Sequence, residues 1–371
     1  MVNSTLPQQP LVSIVIAAYN CEDTVHAAVE SCLAQTYPHT EVIVVNDGST
    51  DGTAAVLTSF GSRIRVVDQE NGGLASARNA GTREAGGEFI AWMDADDLAT
   101  PDRVTVQAGV LAANPQIAVV CSDFSAFTSE GMPLDASHID SYYDAYVRLG
   151  GAKGIYSQRS IQKVNGSNHA VWRGPIYEHL LWGNFVHPPT VMARRTFLDR
   201  AGAFDESLRC SSDYDLIIRL ARLGDFAFVD APLLRYRRSE KQMSSNSSSG
   251  AMPLETVKIL DKIRASDPAV FSRCAPLFRL RTAESLVSAA SAIGPSARGR
   301  ALSLLWAGLT HRLVLKASIV ALIRIVLPDR IRRSVVGTLR HVSRRGIAYL
   351  ATGASTTSLM QDDCIMTLLC N

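Results

Sequence analysis

The sequence contains no Cys-x-x-Cys pair, and its cysteines number seven, so neither a thiolate zinc cage nor a closed disulfide framework is written into it. Such a set suits a reducing compartment. G-x-G-x-x-G, Walker A and G-x-S-x-G are also absent, which argues against a dehydrogenase, an ATPase and a serine hydrolase. Charge of one sign is missing too: 37 Lys+Arg against 35 Asp+Glu leave a formal net charge of +2. That excludes a chain basic throughout that coats nucleic acid, and no nucleic-acid partner is expected. Residues Met1 to Pro10 carry neither the basic nor the apolar region of a secretory signal, so the expected location is cytoplasmic.

What is present is a chain of 371 residues, 47% of them hydrophobic, enough for a sizeable core in one or two domains. Four short apolar runs, Leu11 to Ala18, Glu41 to Val45, Arg63 to Val67 and Glu88 to Met93, read as strands. Their nearly continuous Val and Ile imply burial on both faces, and the helical segments between them imply parallel pairing. Val25, Ala28, Val29, Cys32 and Leu33 fall on one face of such a helix. The fold class is therefore α/β, an open, mostly parallel sheet flanked by helices. Further strands are predicted at Ile117 to Cys121 and Phe226 to Tyr236, and a helix over Ser211 to Leu223. Ser141 to Trp182 shows no clean period and receives no assignment.

Open α/β sheets bind ligands at the carboxyl ends of their strands. Those ends carry Ala17-Ala18-Tyr19-Asn20, Asn46-Asp47-Gly48-Ser49 and Asp94-Ala95-Asp96-Asp97. Asp94 and Asp96 can aim two hard oxygen donors at a divalent cation, Mn²⁺ or Mg²⁺, although a solvated acidic turn would look the same. Asp47 fits an Asx turn as well as a contact to a nucleobase or ribose. Tyr19 can stack or simply pack. Arg78 follows Gly72-Gly73 in a small-residue helix, placed either for solvent or for a diphosphate. Asp213 opens a helix whose macrodipole favours an acid there, reactive or not.

Taken in order, VSIVIAAYN, EVIVVNDGSTDGT, NGGLASARNAG, FIAWMDADD and RAGAFDESLRCSSDYDLIIRLA resemble the motifs of the family 2 glycosyltransferases with the GT-A fold, over residues 11 to 240. The resemblance implies an inverting transfer of a sugar from a nucleoside diphosphate sugar, with a UDP-sugar favoured, to a hydroxyl of a saccharide or lipid-linked acceptor. It implies that Ala17 and Tyr19 border the base, Asp47 binds base or ribose, and Arg78 approaches the diphosphate. Asp94 would touch the ribose or sugar, Asp96 would ligate Mn²⁺ or Mg²⁺, and Asp213 would be the general base. Two positions depart from the family pattern: Ser212 replaces an acid beside the base, and Ser239 stands where many relatives have His. A sugar nucleotidyltransferase or a noncatalytic nucleotide-sugar-binding module would share the sheet and the acids, but neither needs a base at Asp213.

The expected domains are an arm over 1–10, the transferase domain over 11–240, a flexible linker over 241–254, a helical basic extension over 255–345 and a poorly ordered tail over 346–371. Leu302 to Leu327 is apolar but interrupted by Arg312, Lys316 and Arg324, too charged for a bilayer span. Between His311 and Arg345 nine Lys/Arg face one acid, Asp329. Helices packed on the rest of the chain would account for that pattern. So would an interfacial segment over 302–345 that attaches the chain peripherally to the anionic cytoplasmic face of the plasma membrane, in the service of surface polysaccharide or glycolipid synthesis.

Overall fold

A computed structural model describes residues 9–239 and 250–311, together with residues 318, 321, 322, 325 and 326. The chain divides into two compact units, Met1–Ser245 and Asn246–Asn371. The first is built on one mixed sheet. Its strands are β1 Val12–Ala18, β2 Thr40–Asp47, β3 Arg65–Gln69, β4 Phe89–Asp94, β5 Leu98–Ala99, β6 Ile117–Thr128, β7 Pro133–Asp135, β8 Gln158–Val164, β9 Ser167–Gly174, β10 Met192–Arg194 and β11 Asp225–Arg238. They lie in the order β3-β2-β1-β4-β10-β6-β11-β9-β8, with β5 beside β11 and β7 beside β6.

β3, β2, β1 and β4 pair in parallel, as do β6 and β11, and antiparallel neighbours extend the sheet around them. Parallel strands covered on both faces explain why Val12, Val15, Ile16, Ile43, Val44 and Val45 are all fully buried. Because the parallel strands run the same way, the ends of β1, β2 and β4 fall on one edge. Asn20, at φ 47°, turns the chain out of β1; its side-chain oxygen accepts from the Thr50 N–H at 2.8 Å, stitching the loop after β1 to the loop after β2.

Helix Leu74–Glu84 lies across β1 and β2. It comes close because residue 81 is glycine: a Cβ there would stand 2.3 Å from Val15 Cγ1 and 3.1 Å from Val45 Cγ2. This contact sets the height at which Arg78, earlier on the same helix, meets the strand ends.

The stretch Ser141 to Trp182, unassigned from its pattern, holds helices of four or five residues at Ile139–Tyr142, Asp144–Arg148 and Gly151–Ile155, followed by the β8–β9 hairpin. Elements so short complete barely one turn and display no period. β6 runs to Thr128, past the predicted Cys121, because Asp123 to Thr128 pair alongside β11.

The second unit contains helices Ala251–Ser266, Pro268–Arg273, Ala275–Ile293 and Arg298–His311. Its core joins Val287, Ala290, Ile293, Ala301 and Leu305. The expected linker over 241–254 is corrected at its far end: residues 241–249 lie outside the described residues, but the helix begins at Ala251. Pro253 does not prevent this, since a first-turn residue has no intrahelical N–H bond to lose. Most of the expected basic segment over 302–345 and the whole tail over 346–371 lie outside the described residues.

Replacing Gly81 with Ala gains about 1 kcal/mol of helix propensity but forces a methyl against stiff, buried Val15, and overpacking of this kind costs about 1–3 kcal/mol. A net loss of stability is expected in urea unfolding; an unchanged or raised midpoint would show that the helix can lift off the sheet without cost.

Candidate active site

Asp47 ends β2 and is 3% exposed. Its Oδ1 accepts from Gln69 Nε2 at 2.6 Å and from the Gly72 N–H at 2.9 Å, and its Oδ2 accepts from the Gly73 N–H at 2.9 Å. Three N–H groups of the chain thus meet the carboxylate that the resemblance assigns to base or ribose. Those bonds fasten the Gly72-Gly73 turn to the strand ends and leave the carboxylate further acceptor capacity. Gly73, at φ 84°, then leads directly into helix Leu74–Glu84, a conformation that a residue with a Cβ would resist.

Arg78 extends from that helix into the interior with its side chain only 3% exposed. Its Nη2 donates to Asp94 Oδ1 at 2.7 Å, while its guanidinium lies 5.7 Å from the centre of the Phe204 ring. Its Nε is buried without a hydrogen-bond partner among the described residues. A buried N–H in that state is uncommon, and a ligand oxygen would satisfy it. The neighbouring Asn79 clasps the backbone of Phe204 in both directions, at 2.8 and 3.0 Å, so the helix also holds the Ala203–Glu206 loop against the site.

Asp94 and Asp96 leave the end of β4 half-buried, whereas Asp97 is fully buried. Burial and the two neighbouring acids push the Asp97 carboxyl well above the usual carboxylate range. Asp97 Oδ1 accepts from the Arg237 N–H at 2.9 Å, and Arg237 Nε donates to the Asp96 carbonyl at 2.8 Å, so β11 braces the acidic turn. Neither contact is visible in the spacing of FIAWMDADD, because Arg237 lies about 140 residues away.

Ser211 precedes helix Ser212–Ala221, and Asp213 and Asp215 share its first turn. Their partners separate their roles. Asp215 pairs with Arg219 at 2.8 Å, an i,i+4 ion pair that needs no ligand to explain it. Asp213, half-buried, has Asn184 Nδ2 at 3.5 Å. Burial raises its carboxyl above the ordinary value, and the positive charge of Arg78 opposes that rise.

Arg78, Asp213, Trp92, Pro188, Val191 and Phe204 line one small cavity. Thus the structure brings Arg78, Asp94 and Asp213 together from three distant stretches of chain. Ala17 lies at the end of β1, beside Asp94 in register, and Tyr19 is 51% exposed just beyond it. No cluster of three His, Cys, Asp or Glu occurs among the described residues. The donor set fits a cation in another way: carboxylate oxygens of Asp94 and Asp96 are the hard ligands that Mn²⁺ or Mg²⁺ takes when substrate phosphates complete its shell.

The model of the family described as glycosyl transferase family 2 matches residues 13–157. An uncharacterized glycosyltransferase of Rickettsia typhi is 30% identical over 240 residues, 64% of this chain and 67% of the relative. A hyaluronan synthase of Pasteurella multocida is 30% identical over 231 residues, 62% of this chain but only 20% of that enzyme. Among solved structures, a mannosyltransferase of Pyrobaculum calidifontis in complex with GDP-Man and Mn²⁺ shares the fold with a TM-score of 0.50 at 20% identity, covering 86% of this chain and 85% of that one. With its GT-A type sheet and its ordered motifs, the chain belongs to glycosyl transferase family 2.

Proposed function

We propose that this glycosyltransferase moves a sugar, with inversion, from a nucleoside diphosphate sugar to an acceptor hydroxyl. The observation that carries the reading is that Arg78 and Asp213 line one small cavity while Arg78 holds Asp94 by a 2.7 Å bond. Inversion requires a base that takes the hydroxyl proton as the oxygen attacks, on the side of the sugar away from the leaving diphosphate. Asp213 suits that task because burial raises its carboxyl, bringing its basicity nearer to that of the group it deprotonates. The positive charge of Arg78 opposes that rise and favours the ionised form.

The donor side is assigned to Ala17 and Tyr19 at the base, with Asp47 positioning the Gly72-Gly73 turn and Arg78 Nε offering its unused N–H to the diphosphate. Arg78 also holds Asp94, which faces the ribose or sugar. A divalent cation, Mn²⁺ or Mg²⁺, held by Asp96 with Asp94, would supply positive charge to the leaving diphosphate. A UDP-sugar is the first donor to test and GDP-mannose the second. The similarity to a hyaluronan synthase supports a product of the polysaccharide class, extended on a saccharide or lipid-linked acceptor.

For the second unit we propose attachment to an anionic membrane on the cytoplasmic side. No helix of the described residues is long and apolar enough to cross a membrane. Helix Arg298–His311 instead buries Ala301, Leu305 and Gly308 while leaving Leu302 43% and Trp306 72% exposed. An exposed Trp and Leu one turn apart, followed in sequence by nine basic residues, match the composition of an interfacial segment.

Calorimetric titration of UDP and GDP, with and without Mn²⁺, separates the roles. Asp213→Asn should retain wild-type nucleotide affinity while losing transfer by about 10²–10⁴-fold. Asp96→Ala should lose the Mn²⁺-dependent part of that affinity. Normal turnover by Asp213→Asn removes Asp213 from the mechanism, and identical affinities with and without Mn²⁺ in the wild type remove the cation. Independently, the intact chain should cosediment with phosphatidylserine vesicles, and Leu302→Ala/Trp306→Ala should do so less; an intact chain left in the supernatant ends the membrane reading.

A further inference from the structure

Beyond the donor side, one group near the base has no assigned task. Tyr143 Oη and His187 Nδ1 share a hydrogen bond of 3.1 Å, and His187 immediately precedes Pro188, which lines the cavity with Arg78 and Asp213. His187 is 5% exposed and tightly held, stacked on Phe124 with ring centroids 4.0 Å apart and edge-on to Tyr142 and Tyr236. Burial pushes its imidazole down to about 3, so the ring is neutral and carries one proton. Its Nε2 is buried without a hydrogen-bond partner among the described residues.

That orphan decides the direction of the bond. With the proton on Nε2, a buried N–H would lack any acceptor, whereas with the proton on Nδ1 only a lone pair goes unused, the cheaper of the two. The Nδ1–H then donates to Tyr143 Oη, and the phenolic proton is left for something outside the pair. Tyr143 itself is half-buried. Burial above all, then Tyr142 and the charge of Asp213, hold its phenol well above the ordinary value, which keeps that proton in place.

We propose that Tyr143, oriented by His187, donates a hydrogen bond to an oxygen of an uncharged saccharide acceptor and so seats the acceptor beside Asp213. The chemistry favours a polyol over a phosphate or carboxylate, since Tyr143 offers a neutral donor and the negative charge of Asp213 lies within its electrostatic reach. This rests on the transferase reading above and adds to it the residue that meets the acceptor.

The test uses the full chain with Mn²⁺ and the best donor among UDP-glucose, UDP-N-acetylglucosamine and GDP-mannose. Octyl glucoside, octyl galactoside and octyl N-acetylglucosaminide serve as acceptor probes, and slow donor hydrolysis with water as acceptor is followed alongside. In Tyr143→Phe the KM for the acceptor should rise about tenfold, the worth of one neutral hydrogen bond, while donor hydrolysis and nucleotide affinity stay within about twofold. His187→Asn, which keeps a polar atom near the Nδ1 position, should raise that KM less than His187→Leu does. An unchanged acceptor KM in Tyr143→Phe, or hydrolysis falling as far as transfer, overturns the proposal. A wild-type chain that neither hydrolyses nor transfers from any of the donors overturns the transferase reading beneath it, a separate and recognisable failure.

Discussion

The guanidinium of Arg78 is the element around which the site is organised. A cation with 3% of its side chain exposed is costly to bury unless anions meet it, and here Asp94 pairs with it directly while Asp213 feels its charge. The same positive group therefore fixes the carboxylate of Asp94 and opposes the rise that burial imposes on Asp213. Its position is set in turn by how closely helix Leu74–Glu84 can approach the sheet. Gly81 allows that approach, and Asp47 secures the turn that starts the helix. Packing, turn geometry and electrostatics thus converge on one side chain.

The parallel strands and the polar edge they create were legible because buried parallel strands must be apolar along their length, and the chemistry must follow them. Asp94, Asp96 and Asp213 could be named from ordered motifs. The partners of those acids could not. Asp215 and Asp213 sit two residues apart and look alike in SSDYD, yet only the first meets an arginine one turn on. Asp47 resembled a ligand contact in NDGSTDGT, and only the fold shows the Gly72 and Gly73 N–H groups aimed at it. Tyr143, Asn184 and Arg237 are not legible in the sequence for one physical reason: each acts across a large sequence separation, and two of them lie in or beside a stretch of very short elements with no period to read.

The near neutrality of the whole chain conceals an uneven distribution. Nine of its Lys/Arg and one acid fall between His311 and Arg345, so the remainder is acidic on balance. A basic, apolar segment suits a partner of the opposite charge, and in the described part of the second unit Leu302 and Trp306 already stand outside its core.

The claim on which the account turns is that Arg78 sets the ionisation of Asp213, and the pH profile of transfer measures it. Protonation of Asp213 removes the base, so the rate should fall on the acid side at a pH above the ordinary carboxylate range, the direction in which burial moves this group. Replacing Arg78 with Met withdraws the charge that opposes that shift and should move the acid limb to still higher pH, whereas Arg78→Lys should leave it near the wild-type position. An acid limb that stays in place in Arg78→Met, or moves to lower pH, would contradict the account.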